Sequence, residues 1–257
     1  NVVGTFPSTG DTMSDGVKTI LFATCLCLVC SLLLTMAATG LKAFQRENAL
    51  VDRQKNILQA VGAVESGRSY PADEIKALYQ SSIQCISIDD DGQVLSAKAA
   101  PQKVLPLYLY RPDEKVAAYI IPVDSRGLWG RIYGYLALDT DGSTITGFSV
   151  YQHSETPGLG GEIENQWFQR NFVGKQITDT EGNFVSIKIA KGAVEDAVRQ
   201  DLKPNYVDGI SGATMTGKFL TQGLEDILQT YEPVSVHFRN QGMLKLPENA
   251  LVCQPPS

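Results

Sequence analysis

The sequence predicts an α+β fold: a single N-terminal transmembrane helix and helical stalk, followed by a soluble domain with a largely antiparallel sheet and packed helices. Three observations predict it. An uncharged apolar run covers residues 19–41. Short strand-like runs then follow one another closely, divided by turn residues rather than by helices. A strongly amphipathic helical stretch comes late in the chain. With 257 residues, 43% of them apolar and 19% charged, the chain can supply one anchor and one sizeable core, which excludes a disordered protein. A formal net charge of −6, without a dense Lys/Arg run, excludes nucleic acid as a partner.

Residues 1–18 read as a tail. The run 19–41 is rich in Leu, Val, Phe, Ile, Cys and Ala and matches the ~20 residues that a helix needs to cross the hydrocarbon core. Ala37 and Ala38 imitate a signal-peptide cleavage region, but the run exceeds the ~7–15 apolar residues of a signal, so it reads as a retained anchor in membrane lipid. Cys25, Cys27 and Cys30 lie inside it. Their C-x-C-x-x-C spacing lacks a fourth ligand for an iron–sulfur cluster, and they read as small polarizable membrane residues. Cys85 and Cys253 remain, and no disulfide framework follows from two cysteines so placed. Lys18 precedes the span, whereas Lys42, Arg46, Arg53 and Lys55 follow it, which by the positive-inside rule puts the soluble domain in the cytoplasm. Long domains, however, translocate largely regardless of local charge.

Residues 42–65 form the stalk. Phe44, Val51 and Leu58 share one heptad spacing and Leu50, Ile57 and Val64 another, with Arg46, Glu47, Asp52, Arg53 and Lys55 between them. Such a helix continues the membrane span and packs on a partner subunit or folds back on its own domain. The soluble domain is assigned to 66–257. A break at 66–71 leads to a short helix at 73–79, then strands at 84–88, 104–110, 116–123, 131–139 and 144–151. Asp90-Asp91-Gly92 and Asp141-Gly142 supply hairpin turns. A short helix is expected at 163–172, a strand at 184–189 and a helix at 192–201. The last helix is marked by Leu220, Leu224, Ile227, Leu228 and Tyr231 on one face.

Chemistry is suggested at three strings. Asp208 to Thr216 reads D-G-I-S-G-A-T-M-T, a cluster of small residues where a loop enters a helix. There the unpaired N–H groups of a first turn and the positive end of the macrodipole suit a phosphate. Gly212 and Ala213 would let a bulky group approach, Ser211 would cap the helix, and Thr214 would present its hydroxyl on the first turn. A Ser/Thr/Gly cluster before a helix can equally be a plain cap. The second string, His153 to Gly161, is a turn poor in side chains whose backbone could lie against a ring; Gly158 and Gly160 lack the third glycine of a dinucleotide fingerprint, because residue 163 is Ile163. The third is I-P-V-D-S-R-G-L-W-G, residues 121–130.

The D-G-I-S-G-A-T string resembles the motif on which a flavin transferase esterifies FMN to the final threonine, here Thr214, with Thr216 as a nearby decoy. E-T-P-G-L-G, residues 155–160, is similar to the FMN-binding domain shared by the C subunit of the sodium-translocating NADH:quinone oxidoreductase and the G subunit of the related Rnf complex. The string at 121–130 and the stalk residues Glu47-Asn48 and 52–58 resemble the first of these families more closely. The resemblance implies FMN held covalently through Thr214, with Asp208, Gly209, Ser211, Gly212 and Ala213 shaping the site. It places Glu155, Thr156, Gly158, Leu159 and Gly160, with Leu128 and Trp129, along the isoalloxazine; Trp129 could otherwise be a core aromatic. Lys191 is grouped with the solvent-facing lysines, and His153 reads as a turn residue.

On that resemblance the chain relays single electrons, through FMN, from a membrane iron–sulfur centre to a flavin on the B subunit. It has no NADH site, and its partners are the B, D and E subunits and the flavin transferase. It would sit in the bacterial inner membrane with its domain periplasmic, against the charge count. The alternatives are an Rnf-type G subunit, a cofactor-free structural subunit, and a membrane-tethered serine hydrolase in which Ser211 of G-I-S-G-A pairs with His153 or His237.

Overall fold

A computed structural model describes residues 14–96, 104–242, 244, 246–247 and 249–253. Residues 1–13, most of the expected tail, lie outside the described residues. Helix α1, Asp15–Ala60, contains the apolar run, and an 18-residue window of mean hydropathy 2.5 within it has none of its residues buried. The chain divides into two compact units, Asn1–Ala49 and Leu50–Ser257.

The second unit is built on a five-stranded antiparallel meander in the order β1-β2-β3-β4-β5. Its strands are Ile83–Ile88, Leu105–Tyr110, Ala118–Arg126, Arg131–Asp139 and Ile145–Gln152, each within a few residues of the sequence expectation. Short, nearly continuous apolar runs bounded by turn residues are the cause, as in a sheet buried on both faces. Asp141 binds the N–H groups of Ser143 and Thr144, both at 2.8 Å, and closes the β4–β5 hairpin. Pro122 is tolerated inside β3 because β2 pairs only with residues 118–120, which leaves that edge of the strand open around it.

Both faces of the sheet are covered. On one, Ile86, Leu107, Tyr119, Ile121, Leu136 and Phe148 meet helix α5, Thr214–Gln241. Leu220, Leu224, Leu228 and Tyr231 are buried as their spacing predicts, and each contributes roughly 1.5–3 kcal/mol of apolar burial. Tyr119 stacks on Phe238 at 4.5 Å and shares a 2.8 Å hydrogen bond with Ser235. On the other face, Ile57 and Ala60 from the end of α1 pack with Tyr108, Ile120 and Tyr135, while Leu58 packs with Val64 and with Ile75 of α2, Ala72–Ser82. Residues 57–60 of the stalk thus fold onto their own domain, and the helix ends at Ala60, before the expected break at 66–71.

Several expectations are corrected. Cys85 of β1 and Cys253 form a disulfide across 168 residues, although no pairing followed from the sequence. The strand expected at 184–189 shrinks to β6, Lys188–Ile189, because buried Ser186 adopts a left-handed φ of 64° that breaks the extended run. The helix expected at 192–201 is only the single turn α4, Val194–Ala197, followed by a 3₁₀ segment, Gln200–Asn205. The short helix expected at 163–172 is a 3₁₀ turn, Gly160–Glu164, and then α3, Gln166–Arg170.

Candidate functional site

The site is assembled where β7, Tyr206–Val207, runs parallel to β6 and the chain then turns into α5. Asp208 holds this crossing: its Oδ1 accepts the N–H of Val194 at 2.7 Å, and the N–H of Gly209 donates to the carbonyl of Gly192 at 2.8 Å. Gly209 is required by close approach, since a Cβ there would lie 2.1 Å from the Ala190 carbonyl oxygen. Residues 188–193, 206–214 and the first two turns of α5 thereby wall a cavity of about 600 Å³, within the ~300–1,000 Å³ usual for small-molecule sites. Lys188, Lys191 and Lys218 line it, together with Ile189 and Ile210.

Thr214 is the first residue of α5 and is exposed at the rim of this cavity. Thr216 is 1% exposed, and its hydroxyl donates to Glu155 Oε2 at 2.5 Å. Of the two threonines in the motif, only Thr214 offers its hydroxyl to solvent. Ser211, expected as the cap, is an exposed turn residue; Ala213 occupies the cap position, and no side chain hydrogen-bonds the helix start. Gly212 adopts a φ of 75° ahead of that position, which carries Ser211 away from the first-turn amides. The N-terminus of a 28-residue helix is left without a side-chain cap, beside an exposed hydroxyl.

The other two strings converge on the same turn. A Cβ on Gly212 would come 2.8 Å from Leu159 Cδ2, so the 153–161 turn leans on the 208–216 junction. Within that turn the Thr156 carbonyl accepts N–H groups from Leu159 at 3.1 Å and Gly161 at 2.9 Å; Thr156, Gly158 and Leu159 are exposed, and Gly160 is buried against Thr216. Trp129 is 69% exposed, which excludes a core role, and Leu128 beside it is 45% exposed. The Trp129 N–H donates to Glu155 Oε1 at 2.9 Å. Glu155 itself, expected along the ring, is turned inward and only 4% exposed. It joins the strings from inside.

Ser211 has no base. Both ring nitrogens of His153 are engaged, with Glu164 Oε2 and the Glu155 N–H, each at 3.1 Å, while His237 lies far along α5 beside Gln93 Nε2 at 2.7 Å. At ~1.5 Å per helical residue, the 23 positions from Thr214 to His237 separate them by roughly 35 Å. No metal cluster is present among the described residues. The lysines of the cavity carry no signal of their own in the sequence, where Lys191 reads as a solubility residue. Only the β6–β7 pairing places it beside Thr214, and the apolar run at 184–189 is the signal for that pairing.

A side-chain-free helix start with an exposed hydroxyl, opening on a cavity with three lysines, fits a phosphate carrying a planar group. Residues 127–229 match the family model described as "FMN-binding domain", so the three converging strings define a domain of that class. The chain is 36% identical over 242 residues to the C subunit of the Na(+)-translocating NADH-quinone reductase of Pseudomonas aeruginosa, covering 82% of this chain and 89% of that one. It is also 36% identical over 229 residues to the corresponding subunit of Yersinia pestis, with 77% and 83% covered. The chain belongs to the C-subunit family of the Na+-translocating NADH-quinone reductase, NqrC. Of solved structures, it resembles NqrC from Parabacteroides distasonis with a TM-score of 0.64 at 28% identity, over 78% of this chain and 98% of that one. NqrC from Shewanella oneidensis gives 0.55 at 25% identity, over 77% and 97%. Both agree with the α+β architecture described above.

Proposed function

We propose that this chain is the FMN-carrying, electron-transferring subunit of a Na+-translocating NADH:quinone oxidoreductase, with FMN bound as a phosphoester on Thr214. One observation carries the assignment of the site: in a motif with two threonines, Thr214 stands exposed at an uncapped helix start, whereas the hydroxyl of Thr216 is buried and committed to Glu155. When bound, FMN supplies the electron chemistry, and the protein supplies position and electrostatics.

The residues divide that work. The first turn of α5 meets the phosphate charge with its backbone dipoles. Lys188, Lys191 and Lys218 add positive charge to the cavity. The exposed Leu128, Trp129 and Leu159 give an apolar edge. Attachment would need an activated phosphate such as that of a flavin dinucleotide: Thr214 would supply the nucleophilic oxygen and lose its hydroxyl proton to solvent, and AMP would leave with the electron pair of the broken anhydride P–O bond. A dedicated flavin transferase would hold that donor.

In this reading the chain relays single electrons, by way of its FMN, from a membrane iron–sulfur centre to a flavin on the B subunit, with the D and E subunits as further neighbours. The anchor lies within residues 19–41, and the FMN-binding domain includes the stalk from Leu50, where the compact unit begins. We place that domain on the periplasmic side of the inner membrane. The Cys85–Cys253 disulfide supports this side, because such bonds persist in oxidising compartments, and it outweighs the local charge count.

The test is expression of the full chain with its flavin transferase, followed by denaturation and peptide mass spectrometry. Flavin is expected on the peptide that contains Thr214. Thr214→Ala is expected to abolish both retained flavin and quinone reduction while leaving stability within about 0.5 kcal/mol, as for other exposed substitutions. A Thr214→Ala chain that kept its flavin through denaturation would refute the assignment.

A further inference from the structure

A buried carboxylate needs compensation, and Glu155 has an unusual kind. It is 4% exposed, and no cation pairs with it among the described residues. Its two oxygens instead serve two different segments. Oε1 accepts the backbone N–H of Trp129 at 2.9 Å, and Oε2 accepts the hydroxyl of Thr216, two residues beyond Thr214, at 2.5 Å. The Glu155 backbone is fixed in turn, its N–H donating to His153 Nδ1 at 3.1 Å. Space is reserved around the carboxylate: a Cβ on Gly127 would lie 2.5 Å from Oε1, and one on Gly160 would lie 2.7 Å from Oε2 and 2.5 Å from Thr216 Oγ1. An apolar side chain of this volume would fill the space at lower desolvation cost but could not accept from two donors.

We propose that Glu155 is the positioning residue of the flavin site: a strut that ties the exposed Trp129 loop to the first turn of α5 and so sets the gap across which Thr214 is presented. This rests on the assignment of FMN to Thr214. Attachment to a rigid helix turn is sensitive to sub-ångström placement of the hydroxyl, and an exposed tryptophan on a loop keeps its place only while the loop is tied down. The loop also closes on itself, the Gly127 N–H donating to the Gly130 carbonyl at 2.7 Å, and Glu155 adds the tie that fixes it against the first turn of α5.

The experiment uses the full chain with Trp167→Phe, which leaves Trp129 as the only tryptophan. Glu155→Ala, Glu155→Gln, Thr216→Val and the Ala/Val double variant are compared for the initial rate of flavin transfer, for the fluorescence anisotropy of Trp129 in the flavin-free chain, and for Tm. Tyr119→Phe, which removes a buried hydrogen bond within the core, serves as a control for lost stability. Glu155→Ala is expected to slow transfer about tenfold or more and to lower the Trp129 anisotropy. Thr216→Val should slow transfer comparably, with the double variant no slower than Glu155→Ala, because both cuts remove one strut. Glutamine can accept from Trp129 while its amide donates to Thr216, so Glu155→Gln should stay within about threefold of the parent chain.

The proposal is overturned if Glu155→Ala slows transfer no more than Tyr119→Phe, if the Ala and Val effects simply multiply, or if Glu155→Gln is as slow as Glu155→Ala. A parent chain that takes no flavin on Thr214 would refute the assignment of FMN. The strut is then decided by anisotropy alone: a fall in Glu155→Ala and its restoration in Glu155→Gln sustain it, and an unchanged value overturns it.

Discussion

Residues 83–152 and residues 153–213 adjoin in sequence and are held together by different means. The first stretch is the meander, in which long ladders such as the nine pairs from Ala118↔Asp139 to Arg126↔Arg131 share the load and most side chains on the α5 face are fully buried. The second has no strand longer than two residues, and its helices span one turn or little more. It shares the core through Ile163, Phe168, Phe172, Ile177, Ile187 and Val207, but its loops are fixed by individual side-chain bonds: Glu155 to Trp129 and Thr216, Asp208 to Val194, Asn205 Nδ2 to the carbonyls of Gln176 at 2.7 Å and Thr178 at 2.9 Å, and Lys175 Nζ to the Lys203 carbonyl at 2.9 Å. Most of the cavity wall belongs to this second stretch. Stability and site geometry are therefore separable, and damage to one region should read out differently from damage to the other.

The largest test of this separation is the disulfide, which anchors the meander through β1 at a distance from Thr214 in the chain. Closing 168 residues, it restricts the unfolded chain by about 5 kcal/mol in the chain-entropy account. Replacing both Cys85 and Cys253 with serine should lower stability in urea by roughly 2–5 kcal/mol while leaving the rate of flavin attachment at 25 °C unchanged. A parallel fall in attachment would mean that the two regions are not independent.

The opposite pattern is expected for Asp208→Ala. The bond to the Val194 N–H is lost together with the favourable charge interaction with Lys175, at a cost of about 1–2 kcal/mol, since a partly buried donor is left unpaired. The wall that carries Lys191 and Gly209 is released, so attachment should fall about tenfold. Asp208→Asn, which keeps the acceptor, should recover most of both. Urea titration and transferase assays on the same preparations separate the two effects.

Ser186 tests whether the irregular stretch contains removable strain. It is fully buried, holds a φ of 64°, and its hydroxyl has no partner among the described residues. Ser186→Gly removes the left-handed penalty and the unpaired hydroxyl at the cost of extra freedom in the unfolded chain, so stability should rise by about 1 kcal/mol. If β6 then lengthened toward residue 184, amide exchange at Ile187 would slow. Unchanged exchange would mean that a second cause stops the strand.

The same contrast governs what can be read from the sequence. The five strands and α5 are legible because short apolar runs, Asp-Gly turns and the spacing of Leu220, Leu224 and Leu228 are local signals that burial enforces. Residues 184–189 are not, because a single residue at positive φ, Ser186, overrides an apolar run and leaves no trace in hydropathy. The Cys85–Cys253 pairing depends on where the chain segment holding Cys253 returns, which no spacing encodes. In the site, the motif strings are visible, but their meeting is not: Glu155 reads as a ring neighbour and is an internal fastening, and Ser211 reads as a cap that Gly212 turns aside. The lysines become part of the site only through the parallel pairing of β6 and β7.

The smallest effect belongs to Asp141, the meander's counterpart of the side-chain fastenings beyond it. Burial raises its carboxyl, but hydrogen bonds from Thr144 and Ser143 and the charge of Arg239 outweigh this, leaving it below the ordinary value of 3.8. A carboxyl lowered on folding contributes its stability in full above the unfolded pKa and loses it as pH falls toward the folded one. Asp141→Asn keeps an acceptor for the two N–H groups but loses the charge and the Oδ2 acceptor of the Thr144 hydroxyl, so it should cost about 1 kcal/mol at pH 7. The difference between parent and variant should hold constant down to about pH 4 and close below it. Because the hairpin belongs to the ladder, flavin attachment should not follow this titration. A rate of attachment that fell over the same acid range in the parent chain but not in Asp141→Asn would show that the hairpin reaches the site after all, through Arg239 of α5, whose Nη1 donates to the Gly142 carbonyl at 2.8 Å.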